Sequence, residues 1–149
     1  MNKFMEAAII VAQKAAKKSE IPVGAVIVKN GKIISQGYNK RQIKQISTKH
    51  AEIVAIEKAC KKLHSWRLDE CEMYVTLEPC PMCAGAIANA RIKKVYYAAE
   101  ETTGGDGLMQ AIFSSKRLNH KVEIEKLDDG GVSAQILKDF FKKRRSLIK

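Results

Sequence analysis

Residues Glu72-Met73-Tyr74-Val75-Thr76-Leu77-Glu78-Pro79-Cys80-Pro81-Met82-Cys83 read as a buried strand that runs directly into a helix. The run Glu72 to Leu77 mixes β-branched, aromatic and apolar residues over a length typical of a strand. Glu78 precedes a proline, which holds its backbone extended and gives it a role in chain geometry. Cys80 and Cys83 are three positions apart, so in a first helical turn they share a face. Pro81 suits that turn, because an early helical position makes no intrahelical use of its missing N–H. The helix is expected to run to about Ala90. A strand that delivers two thiols to a helix N-terminus places chemistry at one end of a sheet.

Outward from this stretch the helical and strand periods alternate. Asn2 to Lys18 sets Phe4, Ala8, Val11, Ala12 and Ala15 at helical spacing. Val23 to Lys29 and Lys32 to Tyr38 read as strands flanking Asn30-Gly31, a strong hairpin-turn signal. Asn39 to Lys49 is a polar loop, and His50 to Leu63 returns to a helical pattern. Beyond the cysteines come a strand at Lys94 to Ala98 and a glycine-rich loop at Thr102 to Gly107. A short helix at Leu108–Phe113, a strand at Lys121 to Lys126 and a closing helix at Val132 to Leu147 complete the chain. The order predicts the α/β class: a three-layer α/β/α sandwich with a mixed central five-stranded sheet. Residues 1–149 are expected to form one domain.

The chain carries 27 Lys and Arg against 16 Asp and Glu, a net charge of +11. So basic a domain suits a polyanionic partner, because neutralising phosphates releases counterions. Apolar runs fall well short of the roughly 20 residues that span a bilayer, so no membrane association is expected. Met1-Asn2-Lys3-Phe4-Met5-Glu6 carries an early acid and lacks a small-residue cleavage site, as the start of a helix would. Two of the four cysteines form a Cys-x-x-Cys, which points to a reducing, cytoplasmic setting with Cys60 and Cys71 as free thiols.

His50-Ala51-Glu52, thirty residues upstream of Cys80, supplies what the thiols lack. His50, Cys80 and Cys83 are the expected ligands of one Zn²⁺ per chain. Three protein ligands leave one tetrahedral position open, which distinguishes a catalytic zinc from a structural one. Glu52 is two residues from His50, so the two side chains converge only at an irregular helix start. A capping box would need Ser or Thr at position 49, but that residue is Lys49 and Thr48 is one out of register. Glu52 is therefore the candidate general acid and base. His-x-Glu with Pro-Cys-x-x-Cys is the combination found in zinc nucleobase deaminases.

These residues resemble the cytidine and deoxycytidylate deaminase superfamily, and within it the bacterial tRNA-specific adenosine deaminases. The resemblance covers nearly the whole chain. Its most specific parts are His50-Ala51-Glu52-Ile53 and Tyr74 through Ala86. Ile21-Pro22-Val23-Gly24-Ala25-Val26, Gly37-Tyr38-Asn39 and Arg91-Ile92 are similar to other family segments. Asn119 through Ile124 and Phe140-Phe141-Lys142-Lys143-Arg144-Arg145 point to the tRNA branch. The resemblance implies a cytidine deaminase-like fold and conversion of the wobble adenosine in a tRNA anticodon stem-loop to inosine. It implies a homodimer whose partner chain contributes to the substrate site. It also implies that Asn39 bonds the flipped nucleoside, that Val23 and Leu77 wall the base pocket, and that Glu101 and Asn119 belong to the substrate site.

The chain departs from the family at the rim. The loop before His50 lacks the usual Asp-Pro, Lys49 adjoins the histidine, and Glu101 stands where the tRNA enzymes often carry aspartate against a ribose. In the basic run from Lys138 to Lys149, helical spacing is expected to turn Phe140 and Phe141 toward the core. Lys142, Lys143, Arg144 and Arg145 would then face outward, toward RNA phosphates. Two other readings stay open. A deaminase of free guanine, cytosine or another small amino-heterocycle would need no basic rim, and a C-terminal segment closing over the pocket would favour it. A non-catalytic RNA-binding subunit could retain zinc for folding, but would not require Glu52.

Overall fold

The structure is a computed structural model and describes residues 1–101, 107–118 and 120–148. In chain order its elements are α1 (Lys3–Lys17), β1 (Gly24–Lys29), β2 (Lys32–Tyr38), α2 (Arg41–Lys44), α3 (Ala51–Leu63) and β3 (Cys71–Leu77). There follow α4 (Pro81–Asn89), β4 (Lys94–Ala99), α5 (Leu108–Phe113), β5 (Glu123–Lys126) and α6 (Val132–Ile148).

The Asn2 side chain starts α1 by accepting from the N–H groups of Phe4 (2.8 Å) and Met5 (3.1 Å). The helix ends where Ser19 turns left-handed (φ 61°), and the N–H groups of Ser19 and Glu20 donate to the carbonyls of Ala16 and Ala15. That pairing is a Schellman turn, and it fixes where Glu20 leaves the helix. Asn30 (φ 51°) and Gly31 (φ 74°) close the β1–β2 hairpin with the two positive φ values that a type I′ turn requires.

The strands lie in the order β2-β1-β3-β4-β5. β1 runs antiparallel to β2 and β3, while β4 runs parallel to β3 and β5, so the sheet is mixed as predicted. Strand alternation sorts its side chains onto two faces. Ala25, Ile27, Met73 and Val75 pack with α3, α4 and α5. Val26, Val28 and Tyr74 pack with α1 and with Val132 and Ile136 of α6. The result is the expected three-layer arrangement.

Two glycines permit the close helix approaches on opposite faces. A Cβ on Gly24 would lie 2.1 Å from the Ala8 carbonyl oxygen, and one on Gly37 would lie 2.6 Å from that of Ala51. Gly37 thus lets the first turn of α3 settle on β2, directly beside His50.

The departures from the sequence reading are local. A short helix, α2, occupies part of the predicted loop 39–49, because a distant side chain caps it. β3 begins at Cys71, which pairs with Lys29, and β5 begins at Glu123, two residues later than expected. Phe140 and Phe141 do not turn into the core: their rings pack edge to face, and Phe141 is 37% exposed. The predicted loop 102–107 lies outside the described residues except for Gly107. Among the described residues no helix is long and apolar enough to cross a membrane.

Candidate metal centre and active-site cavity

The N-termini of α3 and α4 meet at the end of the sheet where β3 finishes and β1 begins. There the Gly24 N–H donates to Thr76 Oγ1 at 3.1 Å, joining the two strands one residue from Val23 and Leu77. His50 is the N-cap residue of α3, and Cys80 is that of α4. Both have extended backbones, and neither side chain caps its own helix. Both side chains are thereby left to face the crevice between the helices.

His50 Nδ1 lies 3.6 Å from Cys80 Sγ and 3.6 Å from Cys83 Sγ. All three candidate ligand atoms lie within 4.8 Å of one another, a group that could hold a metal ion. The spacing can be tested against zinc. Bonds of about 2.0 Å to nitrogen and about 2.3 Å to sulfur, on tetrahedral directions, separate those atoms by roughly 3.6 Å. The donor set and its spacing therefore fit zinc.

In the chain without metal, hydrogen bonds from the Cys83 thiol and from His50 draw Cys80 down to about 4. Its bond to Cys80 raises His50. The same shared bond, followed by burial, pushes Cys83 well above the usual thiol range. One thiolate at the mouth of two helix dipoles is the electrostatic state a cation would find.

Glu52 follows His50 into the first turn of α3 and is 4% exposed. Burial lifts its carboxyl to about 7, against the opposing effect of its own backbone N–H. A carboxyl poised near neutrality beside the Cys80 thiolate and the Cys83 thiol is suited to taking up and returning a proton.

These groups open into a cavity of about 600 Å³, a size ordinary for small-molecule and nucleoside sites. His50, Glu52 and Cys80 line it, with Val23 and Leu77 as apolar wall and Asn39 and Arg41 on the α2 side. The predicted substrate residues Val23, Leu77, Asn39 and Glu101 are thus gathered around the candidate metal ligands. Asn119 lies outside the described residues.

A further wall comes from α6, through Ala134, Leu137, Lys138, Phe141 and Arg145. Those positions follow the i, i+3, i+4, i+7, i+11 pattern of one helical stripe. Of the four predicted phosphate contacts, Arg145 falls on the stripe, whereas Lys142, Lys143 and Arg144 are exposed and lie off it. Arg41, Lys138 and Phe141 were not read from sequence as site residues. The α6 stripe was visible there as a 3.6-residue period, but it mixes small, apolar and basic residues and looks like an ordinary packing face.

Glu78 also does more than shape the chain. It is 8% exposed, lines the cavity, and accepts the Glu101 N–H at 3.0 Å, tying the ends of β3 and β4 together. Lys49 pairs with Glu57, one exposed carboxylate along α3, rather than with a group in the cavity.

Comparison with known proteins agrees with this geometry. A family model described as MafB19-like deaminase matches residues 1–145. A tRNA-specific adenosine deaminase of Bacillus subtilis is 41% identical, over 98% of this chain and 94% of its own length. A solved structure from studies of A-to-I editing by tRNA:A34 deaminases at the wobble position is 39% identical. It superposes with a TM-score of 0.84 over 90% of this chain and 98% of that one. A guanine deaminase from Bacillus subtilis is 36% identical with a TM-score of 0.65, over 97% of this chain and 95% of that one. The chain therefore belongs to the deaminase family described as MafB19-like, and within it to the tRNA-specific adenosine deaminases.

Proposed function

We propose that this protein hydrolytically deaminates the wobble adenosine of a tRNA anticodon stem-loop to inosine, with one zinc ion per chain held by His50, Cys80 and Cys83. The observation that carries the reading is the pair of 3.6 Å separations between His50 Nδ1 and the two thiols, with the buried Glu52 carboxyl beside them. When bound, zinc supplies Lewis acidity that brings the pKa of a coordinated water toward neutrality.

The chain's own residues do the rest. Glu52 takes one proton from the attacking water and delivers it to the purine ring nitrogen next to the reacting carbon. It then takes the second proton from the hydroxyl so added and gives it to the amine as the C–N bond breaks. Water and adenosine give inosine and ammonia. Val23 and Leu77 press on the faces of the base and exclude water, and Asn39 offers its amide to the nucleoside. A base that reaches such a pocket must first leave its stack, which single-stranded anticodon loops allow at modest cost. Arg41, Lys138 and Arg145 around the same cavity supply positive charge where flanking phosphates would lie. A homodimer in the cytoplasm completes the proposal.

The test offers zinc-loaded protein an anticodon stem-loop with a wobble adenosine, alongside free adenine, adenosine, guanine and cytosine. Inosine formed in the RNA supports the reading. Ammonia from a free base with the RNA unchanged overturns the substrate assignment and leaves the hydrolytic chemistry in place.

A further inference from the structure

The loop that carries Asn39 and Arg41 is tied to a residue outside it. Its helix α2 has Lys40 as N-cap residue and no side-chain cap of its own. The cap comes from Glu20, about twenty residues earlier in the chain. Glu20 is 1% exposed; its Oε1 accepts the Gln42 N–H at 3.1 Å, and its Oε2 accepts the Ile43 N–H at 2.6 Å. Charge-assisted bonds of this kind are among the stronger ones a carboxylate makes.

Both ends of this anchor are fixed. The Schellman turn at the end of α1 sets the backbone of Glu20. At the base of the loop the Lys40 N–H donates to the Lys49 carbonyl at 2.9 Å, one residue from His50. Between these points the Asn39 side-chain oxygen accepts the Arg41 N–H at 3.1 Å, so its amide nitrogen is the end left for a ligand. Asn39 and Arg41 both line the cavity.

We propose that Glu20 is a positioning residue for nucleoside recognition: by holding the Gln42 and Ile43 amides, it fixes Asn39 and Arg41 in the cavity wall. It touches neither metal ligand nor substrate. Its contribution falls on binding and leaves the proton transfers of Glu52 intact. The substrate half of this inference rests on the RNA reading above.

The experiment compares zinc-loaded wild type, Glu20→Gln and Glu20→Ala on the wobble-adenosine stem-loop, with zinc content and amide exchange at Gln42 and Ile43 read on the same samples. Losing two buried acceptor bonds is expected to raise KM roughly tenfold in the alanine variant, with kcat within about twofold. Zinc content should stay unchanged, and the two amides should exchange faster while those of β1 and β3 do not. Glu20→Gln keeps one acceptor oxygen and should fall between the two, and it carries the test if the alanine variant does not fold. An unchanged KM with a folded variant, or kcat, zinc and Tm falling together, overturns the proposal. A wild type inert toward the RNA sinks the RNA reading instead. In that case unchanged exchange at Gln42 and Ile43 would still refute the anchor, and accelerated exchange would support it.

Discussion

His50 Nδ1 lies 3.6 Å from Cys83 Sγ, although thirty-three residues and two strand-helix junctions separate them. β3 carries Cys80 and Cys83 to the sheet end, and the packing of α3 on Gly37 brings His50 to meet them. The candidate metal site is thus a property of the sheet as well as of its three side chains, and loss of a bound metal should be felt in both chemistry and stability.

Chelation of the loaded protein is expected to abolish activity and lower Tm, with activity restored by added zinc. His50→Ala and Cys83→Ser should each lose the metal, whereas Cys60→Ser should retain about one equivalent. Metal analysis after gel filtration checks this. Full zinc occupancy in Cys83→Ser would contradict the ligand set.

Glu52→Gln should bind zinc as the wild type does while kcat falls by about 10²- to 10⁴-fold, the range for losing a positioned acid-base group. Steady-state kinetics on metal-quantified samples decides the matter, and an active Glu52→Gln would remove the carboxyl from the mechanism.

Burial of Glu52 also has a pH consequence for the metal-free chain. Its carboxyl rises from 4.5 to about 7 on folding, so between those values the folded state binds more protons than the unfolded. Stability from this group is therefore present below about pH 4.5 and lost as pH rises through about 7, by up to about 3 kcal/mol. The lowered Cys80 works the opposite way over a wider window, from about pH 4 to 9.0, that spans the whole Glu52 range, so it is the difference between wild type and Glu52→Gln that isolates the carboxyl. Denaturant midpoints from pH 5 to 8 should show Glu52→Gln gaining relative stability with rising pH; parallel curves would contradict the burial argument.

Gly37→Ala places a Cβ within 2.6–2.7 Å of the Ala51 carbonyl oxygen and the Ala55 nitrogen, rigid backbone at the start of α3. It is expected to cost at least 1–3 kcal/mol and to weaken zinc retention by displacing His50. Gly85→Ala meets no atom within 4 Å in the middle of α4 and should gain up to about 1 kcal/mol of helix propensity. Thermal melts and zinc analysis of the two variants give opposite signs if the packing is as described.

Binding of the stem-loop should weaken as salt rises, with a log–log slope of roughly −0.7 for each single-strand phosphate neutralised. Arg145→Ala and Lys138→Ala, on the cavity-facing stripe of α6, should each flatten the slope by about one such unit. Lys142→Ala, off that stripe, should change it less. A slope near zero in the wild type would remove the phosphate contacts from the account.

Much of this was legible in sequence because the informative residues act locally. The Asn30-Gly31 turn, the β-branched run from Val23 to Lys29 and the Cys80–Cys83 spacing each state their geometry within a few positions. His50 and Glu52 were legible through chemistry, since few other roles need a histidine and a carboxylate two apart at a helix start. The misses are non-local. α2 is capped by Glu20 from the far side of the hairpin, a relationship no sequence window contains. Phe141 was expected in the core because helical phase identifies a shared face but not what that face meets, and here it meets a cavity. The same ambiguity separated Arg145 from Lys142, Lys143 and Arg144.

The most direct test places the stem-loop and free guanine in one reaction with zinc-loaded protein and measures the ratio of their kcat/KM values by competition. The account predicts a ratio strongly in favour of the RNA, with inosine confined to the wobble position. Preferential release of ammonia from guanine, with the stem-loop intact, would contradict it.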